Sequence, residues 1–495
     1  MAGDEWERFL RDYYRVLKVP KKFVVPQPDG TYWPHLFIKS KMEKVGEDEE
    51  FVYLRNLPIE DPRSASHEAW VLHESRELTY LDRVEELKKH KVIDPTEVFA
   101  PMPFTRWLSF EEVSNGLPSD GQWQTALAVV DINKDGLLDI VTPPARQEPN
   151  GRGHIFLQGK GMTWKEANVR WPGDVPWDYG AVVCEDFDRD GILDLVFAFH
   201  FKSMWLLHGA SSSDGVLTFD RAEKLPQAHG SVTSRALAVG DFDGDRRPDL
   251  AVLAELDLDL GSVTNIESGL VYVLLNKPAG WKVVDLGGKR IYGDFIRVAD
   301  LDGDGWADVI AAKNTNADVP FAFLNRERGD KWEAVSPSGL PWMPYVFSVA
   351  ASRNRRGPDW VALAMMQSVR WGGVQHQVNT VRLAKLGTGN TLVDTGELLR
   401  YDGAYLSAVA VGDLGGDGHQ DVVVGAGDGT LTVFVNRGKG LWLQEMGSPK
   451  LPEARISYLE VKDLDGDGLN ELIVMATTSG QPGFIKVFRV RPNRP

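Results

Sequence analysis

The chain has 495 residues, of which 43% are hydrophobic, with 49 glycines, 28 prolines and a formal net charge of −16. That is enough apolar material for one large domain or two to three ordinary ones, and it is not the composition of a disordered chain. The acidic balance argues against a duplex nucleic acid as partner, and the lone Cys184 excludes an internal disulfide.

Residues 1–103 read as an extension. Within it EWERFLRDYYRVLKV, from Glu5, and ELTYLDRVEELKKHK, from Glu77, place apolar residues at helical spacing. The opening MAGDEWERFL lacks the basic and apolar regions of a secretory signal, and no apolar run approaches a membrane span. This segment is expected to pack as a cap on the repeats or to dock on another subunit.

From residue 104 onward one phrase returns. It reads DINKDGLLDIV from Asp131, DFDRDGILDLV from Asp186, DFDGDRRPDLAV from Asp241, DLDGDGWADVI from Asp300, DLGGDGHQDVVV from Asp413 and DLDGDGLNELIV from Asp463. The starts are spaced by 55, 55, 59, 113 and 50 residues, so the long gap holds a worn copy, SVAASRNRRGPDWVAL from Ser348. Each unit has an alternating apolar run before the phrase (ALAVVD, ALAVGD), a second after it (LDIVTP, LDLVFAF), then a third (GHIFLQG, SMWLLHG) and a more polar fourth (MTWKEAN, LTFDRAE). Period-two alternation means strands, and four strands in such a repeat make one propeller blade. The expected fold is all-β, a seven-bladed propeller over residues 104–495. The last unit stops after its third strand, so residues near 105–117, around TRWLSFEEVSNGLP, are expected to supply its outer strand and close the ring.

The phrase has the form D-x-[DN]-x-D-G-x-x-[DE], which gathers oxygen ligands suited to a hard cation, with a glycine at the bend. An EF-hand is excluded: position 12 is Thr142, Phe197, Val252, Ala311, Val424 or Val474, none of them acidic, and the flanks are strands. A turn held by aspartate–backbone hydrogen bonds without metal is the alternative. Crowded carboxylates favour the cation, because they repel one another unless neutralised.

With these loops the chain resembles the FG-GAP/VCBS repeat family, the calcium-loop propellers that include the integrin alpha-subunit head, over roughly residues 105–491. The resemblance implies Ca2+ on a hairpin between the first two strands of a blade. The ligands it implies are Asp131, Asn133, Asp135 and Asp139 with the Leu137 carbonyl, then Asp186, Asp188, Asp190 and Asp194. The third set is Asp241, Asp243, Asp245 and Asp249, strained by Arg246 in place of the glycine; the fourth is Asp300, Asp302, Asp304 and Asp308. The sixth is reduced to Asp413, Asp417 and Asp421 by Gly415, and the seventh is Asp463, Asp465, Asp467 and Glu471. In the fifth unit Arg353, Arg355 and Arg356 stand where metal and ligands would be. Such ions are structural, since a coordinating carboxylate is not free for proton transfer.

Aromatic residues recur just ahead of the first strands: Trp123, Trp177, Tyr179, Tyr292, Tyr345, Tyr405 and, more loosely, Tyr458, with Arg235 in the third unit. They suit either packing between blades or a face for a sugar or a protein partner. The leading expectation is a non-catalytic, calcium-stabilised binding module in an extracellular or periplasmic assembly. The rival is a polysaccharide lyase or sugar dehydratase, for which Arg235, Tyr179 and His229 would have to converge. Cys184, inside a first strand, is expected in the core.

Overall fold

The computed structural model describes residues 17–21, 24–28, 30–33, 42–49, 51–56 and 104–493. Within the last range, 149, 201, 213, 229–231, 258–269, 290, 292, 315–318, 341–344, 354–356, 372–373, 401–404 and 478–482 are excepted. The chain divides into two units: residues 1–102 with 367–378 and 400–402, and residues 103–366, 379–399 and 403–495.

In the first unit, β1 (Leu17–Pro20), β2 (Val25–Pro26), β3 (Tyr32–Trp33), β4 (Met42–Glu47) and β5 (Phe51–Asn56) form a sheet in the order β1-β5-β4-β3-β2. The end of the first helical pattern is therefore strand: Leu17 to Pro20 pair antiparallel with Leu54 to Phe51, where Val19 and Leu54 are buried. Pairing that buries alternate side chains wins over a helical period that Pro20 cannot continue. The rest of both helical patterns lies outside the described residues.

The second unit opens with β6 (Phe104–Thr105) and β7 (Leu108–Glu112). Two four-strand meanders follow. One is β8 (Ala128–Val130), β9 (Asp139–Thr142), β10 (His154–Gly159) and β11 (Thr163–Glu166). After β12 (Val169–Arg170) comes the other, β13 (Gly180–Glu185), β14 (Asp194–Phe199), β15 (Met204–Ala210) and β16 (Leu217–Lys224). A third is β17 (Val232–Gly240), β18 (Asp249–Asp257), β19 (Leu270–Lys277) and β20 (Gly280–Lys289). An eight-stranded sheet then joins β21 (Ile296–Ala299), β22 (Asp308–Ala311), β23 (Ala322–Asn325) and β24 (Trp332–Gly339) to β25 (Tyr345–Ala351), β26 (Val361–Trp371), β27 (Val374–Gly387) and β28 (Thr391–Arg400), with β24 and β28 parallel at the join. The segment after the fifth unit's second strand is the far part of the β26–β27 hairpin.

The chain ends with β29 (Leu406–Gly412), β30 (Asp421–Ala426), β31 (Leu431–Asn436) and β32 (Trp442–Glu445), then β33 (Arg455–Lys462), β34 (Glu471–Thr477) and β35 (Phe484–Pro492). The β6 strand extends the former sheet beside β32, and β7 takes the outer place beside β35, Phe488 facing Glu112 and Pro492 facing Leu108.

The first strands of successive meanders pack side by side from β8 through β13, β17, β21, β25 and β29 to β33. The circle closes where Lys462 Nζ donates to the Val129 carbonyl at 2.7 Å and Leu138 N–H to the Leu464 carbonyl at 3.2 Å. The fold is an all-β propeller with its blades in a ring, five of them standing as separate sheets.

Second strands are buried along their whole length in β9, β14, β22, β30 and β34. They lie between two strands of their own sheet, with other blades over their faces, which explains why they read as unbroken apolar runs rather than alternating ones. Outer strands such as β11 expose three of their four residues. Close blade packing needs glycine: a Cβ on Gly412 would meet Val461 Cγ1 at 2.3 Å, and one on Gly425 would meet Ile456 Cγ2 at 2.5 Å. Cys184 is buried in β13, where burial pushes its thiol well above the ordinary range.

Candidate functional site

Each acidic phrase is the turn between the first and second strand of a blade, and its four acidic positions do different work. Position 1 holds the bend. Its carboxylate accepts the N–H of position 6, from Gly136, Gly191, Arg246, Gly305, Gly418 and Gly468, at 2.7–3.1 Å. Position 3 accepts the N–H of position 5 where it is Asn133, Asp188, Asp243, Asp302 or Asp465. Position 5 accepts the N–H of position 7 in all six loops. Positions 4 and 6 both lie in the left-handed region; Arg246, at φ 65°, takes the conformation its five glycine counterparts adopt.

Position 9 is a strut. One oxygen accepts the N–H of position 2 (Ile132, Phe187, Phe242, Leu301, Leu414 or Leu464) at 2.8–3.1 Å. In five blades the other oxygen takes an N–H from the third strand, at Gln158, Gly209, Asn276, Asn325 or Asn436, at 2.7–2.9 Å. In the last blade Arg491 serves Glu471 instead, at 3.0 Å. These carboxylates are 0–1% exposed. Burial pushes Asp139 and Asp194 up to about 6, and Asp249, Asp308 and Asp421 up to about 7.

Carboxylate oxygens converge within 4.8 Å of one another in four loops: Asp186, Asp188 and Asp190; Asp241, Asp243 and Asp249; Asp300, Asp302 and Asp304; Asp463, Asp465 and Glu471. In the second loop Asp186 Oδ1 is buried and accepts no hydrogen bond. Such an oxygen calls for a cation, so the donor sets fit a divalent ion.

Several loops also carry a basic side chain from the third strand, which sequence reasoning missed. Lys277 pairs with Asp243 and lies 3.6 Å from Asp245; Arg326 pairs with Asp302; Arg437 lies 2.9 Å from Asp417; Arg491 lies 2.6 Å from Asp467. The readable signal was the Asn-Lys or Asn-Arg pair closing LLNK, FLNR and FVNR. In the worn unit Asp359 exchanges hydrogen bonds with Asp300, its Oδ2 accepting the Asp300 N–H at 3.1 Å and its own N–H reaching the Asp300 carbonyl at 2.8 Å. Arg353 is exposed, and Arg355 and Arg356 lie outside the described residues.

The residues expected on a ligand face divide. Trp123 and Tyr179 are buried, each 5% exposed. Trp177 is half-buried within its blade, its ring centroid 5.1 Å from Trp171 and 5.3 Å from Phe197. Tyr458 stacks on Phe295 at 6.3 Å and donates to Glu460 at 2.8 Å; burial raises its phenol well above the usual range. Tyr292 and His229 lie outside the described residues.

The remaining residues meet at the starts of the first strands, the ends opposite the acidic loops. Tyr345 stacks on Phe347 at 6.0 Å, and Phe347 meets Tyr405 edge-on at 6.0 Å. The Arg455 guanidinium stands 6.0 Å over the Tyr405 ring, and Tyr405 is 40% exposed. Asp294 lies 2.7 Å from Arg235 and 3.7 Å from Arg455. A second cluster sets Arg146 5.3 Å over Tyr179 and the His200 ring 4.6 Å from it. Phe347, Asp294, Arg455, Arg146 and His200 carry no repeat signal, so only folding revealed them.

Among the described residues no helix is long and apolar enough to cross a membrane. No curated protein matches the chain. Among solved structures, the Dos1 propeller is similar over 78% of this chain and 95% of its own, at 10% identity and a TM-score of 0.45. The FG-GAP-like repeat matches residues 186–252 and 413–474, each time from the first position of one acidic loop to the second strand of the next blade. The resemblance read from the acidic phrase holds at both places: this β-propeller carries FG-GAP-like repeats.

Proposed function

We propose that the chain is a calcium-stabilised, seven-bladed, non-catalytic binding module that presents the strand-start face of its ring to a protein or glycan. The eight-stranded sheet supports the count of seven if it is taken as two blades fused at β24 and β28. The observation that carries the binding role is Tyr405, exposed beside Phe347 with a guanidinium over its ring. An aromatic face next to a cation suits sugar stacking or an acidic protein surface. Calcium is supported by the converging carboxylate oxygens of the third, fourth and seventh loops. Extracellular sites of this kind hold calcium at roughly 10⁻⁴ to 10⁻³ M, which favours an extracellular or periplasmic home. Residues 1–103, whose described part is a five-stranded sheet, form the arm that docks on another subunit.

A second reading, lyase chemistry on an acidic glycan, is favoured by Tyr179, His200 and Arg146 standing together. One experiment separates the two. The protein is used as bait on native membranes and medium, with and without chelator, and incubated separately with uronate polysaccharides under ultraviolet detection of unsaturated products. Calcium-dependent capture that Tyr405→Ala and Arg455→Ala abolish at unchanged melting temperature supports the module. Product formation abolished by Tyr179→Phe replaces it with the enzyme.

A further inference from the structure

The third strands of several blades lay a side chain over the acidic loop. In three of them it is a fixed cation, Lys277, Arg326 or Arg437, one residue beyond the asparagine that donates to the position 9 strut. An ammonium or guanidinium neutralises carboxylates but has no lone pair for a metal. The second blade differs. Its strut donor is Gly209, and the side chain that reaches the loop is His208, one residue earlier. A bulge in the β15–β16 pairing falls between His208 and Gly209, and bulges re-aim side chains.

His208 is 6% exposed. Its Nδ1 lies 3.1 Å from Asp188 Oδ2 and 3.8 Å from Asp194 Oδ1, and one donor atom from each of the three residues falls within 4.8 Å of the others. Its Nε2 is buried without a hydrogen-bond partner, and the nearest acid is Glu223, with Oε2 at 3.8 Å. Metal-bound histidines commonly direct their second ring nitrogen at a carboxylate, which fixes the tautomer. Asp186 adds its own demand, because Oδ1 is buried and unpartnered where Asp131, Asp241, Asp300, Asp413 and Asp463 each use that oxygen to accept an N–H.

We propose that His208, Asp188 and Asp194, with Asp186 beside them, form a site for a borderline divalent metal such as Zn2+, unlike the all-oxygen loops of the other blades. An imidazole nitrogen among carboxylates suits zinc and its transition-metal neighbours, whereas calcium prefers oxygen throughout. The site does not rest on calcium filling the remaining loops.

The test is calorimetric titration of the chelator-stripped full chain with ZnCl2, with millimolar CaCl2 present throughout, and Co2+ as a spectroscopic probe. The expected result is one zinc equivalent that calcium does not displace, and a cobalt ligand-field band that His208→Gln removes. Glu223→Gln, which touches no ligand atom, is expected to weaken zinc by roughly 10- to 100-fold and carries the test if His208→Gln fails to fold. A chain that takes up no zinc in the presence of calcium, or one whose zinc affinity ignores both substitutions, overturns the proposal. Zinc uptake without any calcium uptake in a separate CaCl2 titration would sink the calcium reading and leave this one standing.

Discussion

Asp421→Ala tests whether position 9 is a strut. Asp421 is 1% exposed, and its two oxygens accept the Leu414 N–H at 2.9 Å and the Asn436 N–H at 2.8 Å. Truncation removes both acceptors, and a buried donor left unpaired costs about 1–3 kcal/mol. Part of the loss is recovered, because burial already disfavours the ionised carboxylate and holds it at about 7. The net expected destabilisation is therefore ~2–4 kcal/mol. The sixth loop is the right place to ask, since Gly415 removes one acid and makes any metal contribution smallest there. Urea unfolding of the full chain, in chelator and in millimolar calcium, reads the change as a midpoint shift at constant slope. A loss below about 1 kcal/mol, the size of one ordinary hydrogen bond, would refute the strut. So would a loss seen in calcium that disappears in chelator, for then the residue would matter only as a ligand.

Lys277→Ala frees Asp243 and Asp245 from their resident ammonium, so calcium affinity at the third loop should rise, read by direct calcium titration; an unchanged or weaker affinity counts against competition between lysine and metal. Arg246→Gly relieves a left-handed side-chain conformation at φ 65° and should stabilise the metal-free protein by up to about 1 kcal/mol in thermal melts, glycine's own entropy limiting the gain. The strut carboxylates have folded values of about 6 to 7, above an unfolded value near 4, so their contribution is fully present below pH ~4 and is lost as pH rises through 6 to 7. The chelated protein should thus melt at a higher temperature at pH 5.5 than at pH 8, and calcium should narrow that difference; a flat profile in chelator would contradict it.

The ring was legible because its physics repeats. Alternation marked the first strands, unbroken apolar runs marked the second, and the acidic turn gave the period that the FG-GAP-like matches reproduce at Asp186 and Asp413. What the sequence hid was the division of labour inside the turn. Asp249 and Asp243 look alike in DFDGDRRPDLAV, yet Asp249 is a buried acceptor of two N–H groups, whereas Asp243 faces Lys277. That difference depends on where the third strand returns, a pairing between residues 15 or more positions apart. The strand-start face was hidden for the same reason. Asp294 and Arg455 belong to different blades, with no shared motif, and meet only because the ring closes. Trp123 and Tyr179, which the sequence left open between packing and a ligand face, are both buried.

The loops follow one order of construction. The turn is made first, by N–H groups donated to aspartate oxygens, and that pattern needs no ion. It does gather like charges, and each blade must neutralise them. Lys277, Arg326, Arg437 and Arg491 do so with a cation built into the chain, which persists whatever the solution holds. The first loop lightens its own charge with Asn133, whose amide donates to Asp135 at 2.9 Å. The second loop has neither device: four aspartates, a buried imidazole and an oxygen that accepts nothing. Dependence on dissolved metal should therefore differ from blade to blade around this ring. It should be greatest at Asp186 to Asp194, where the chain supplies ligands without supplying the charge.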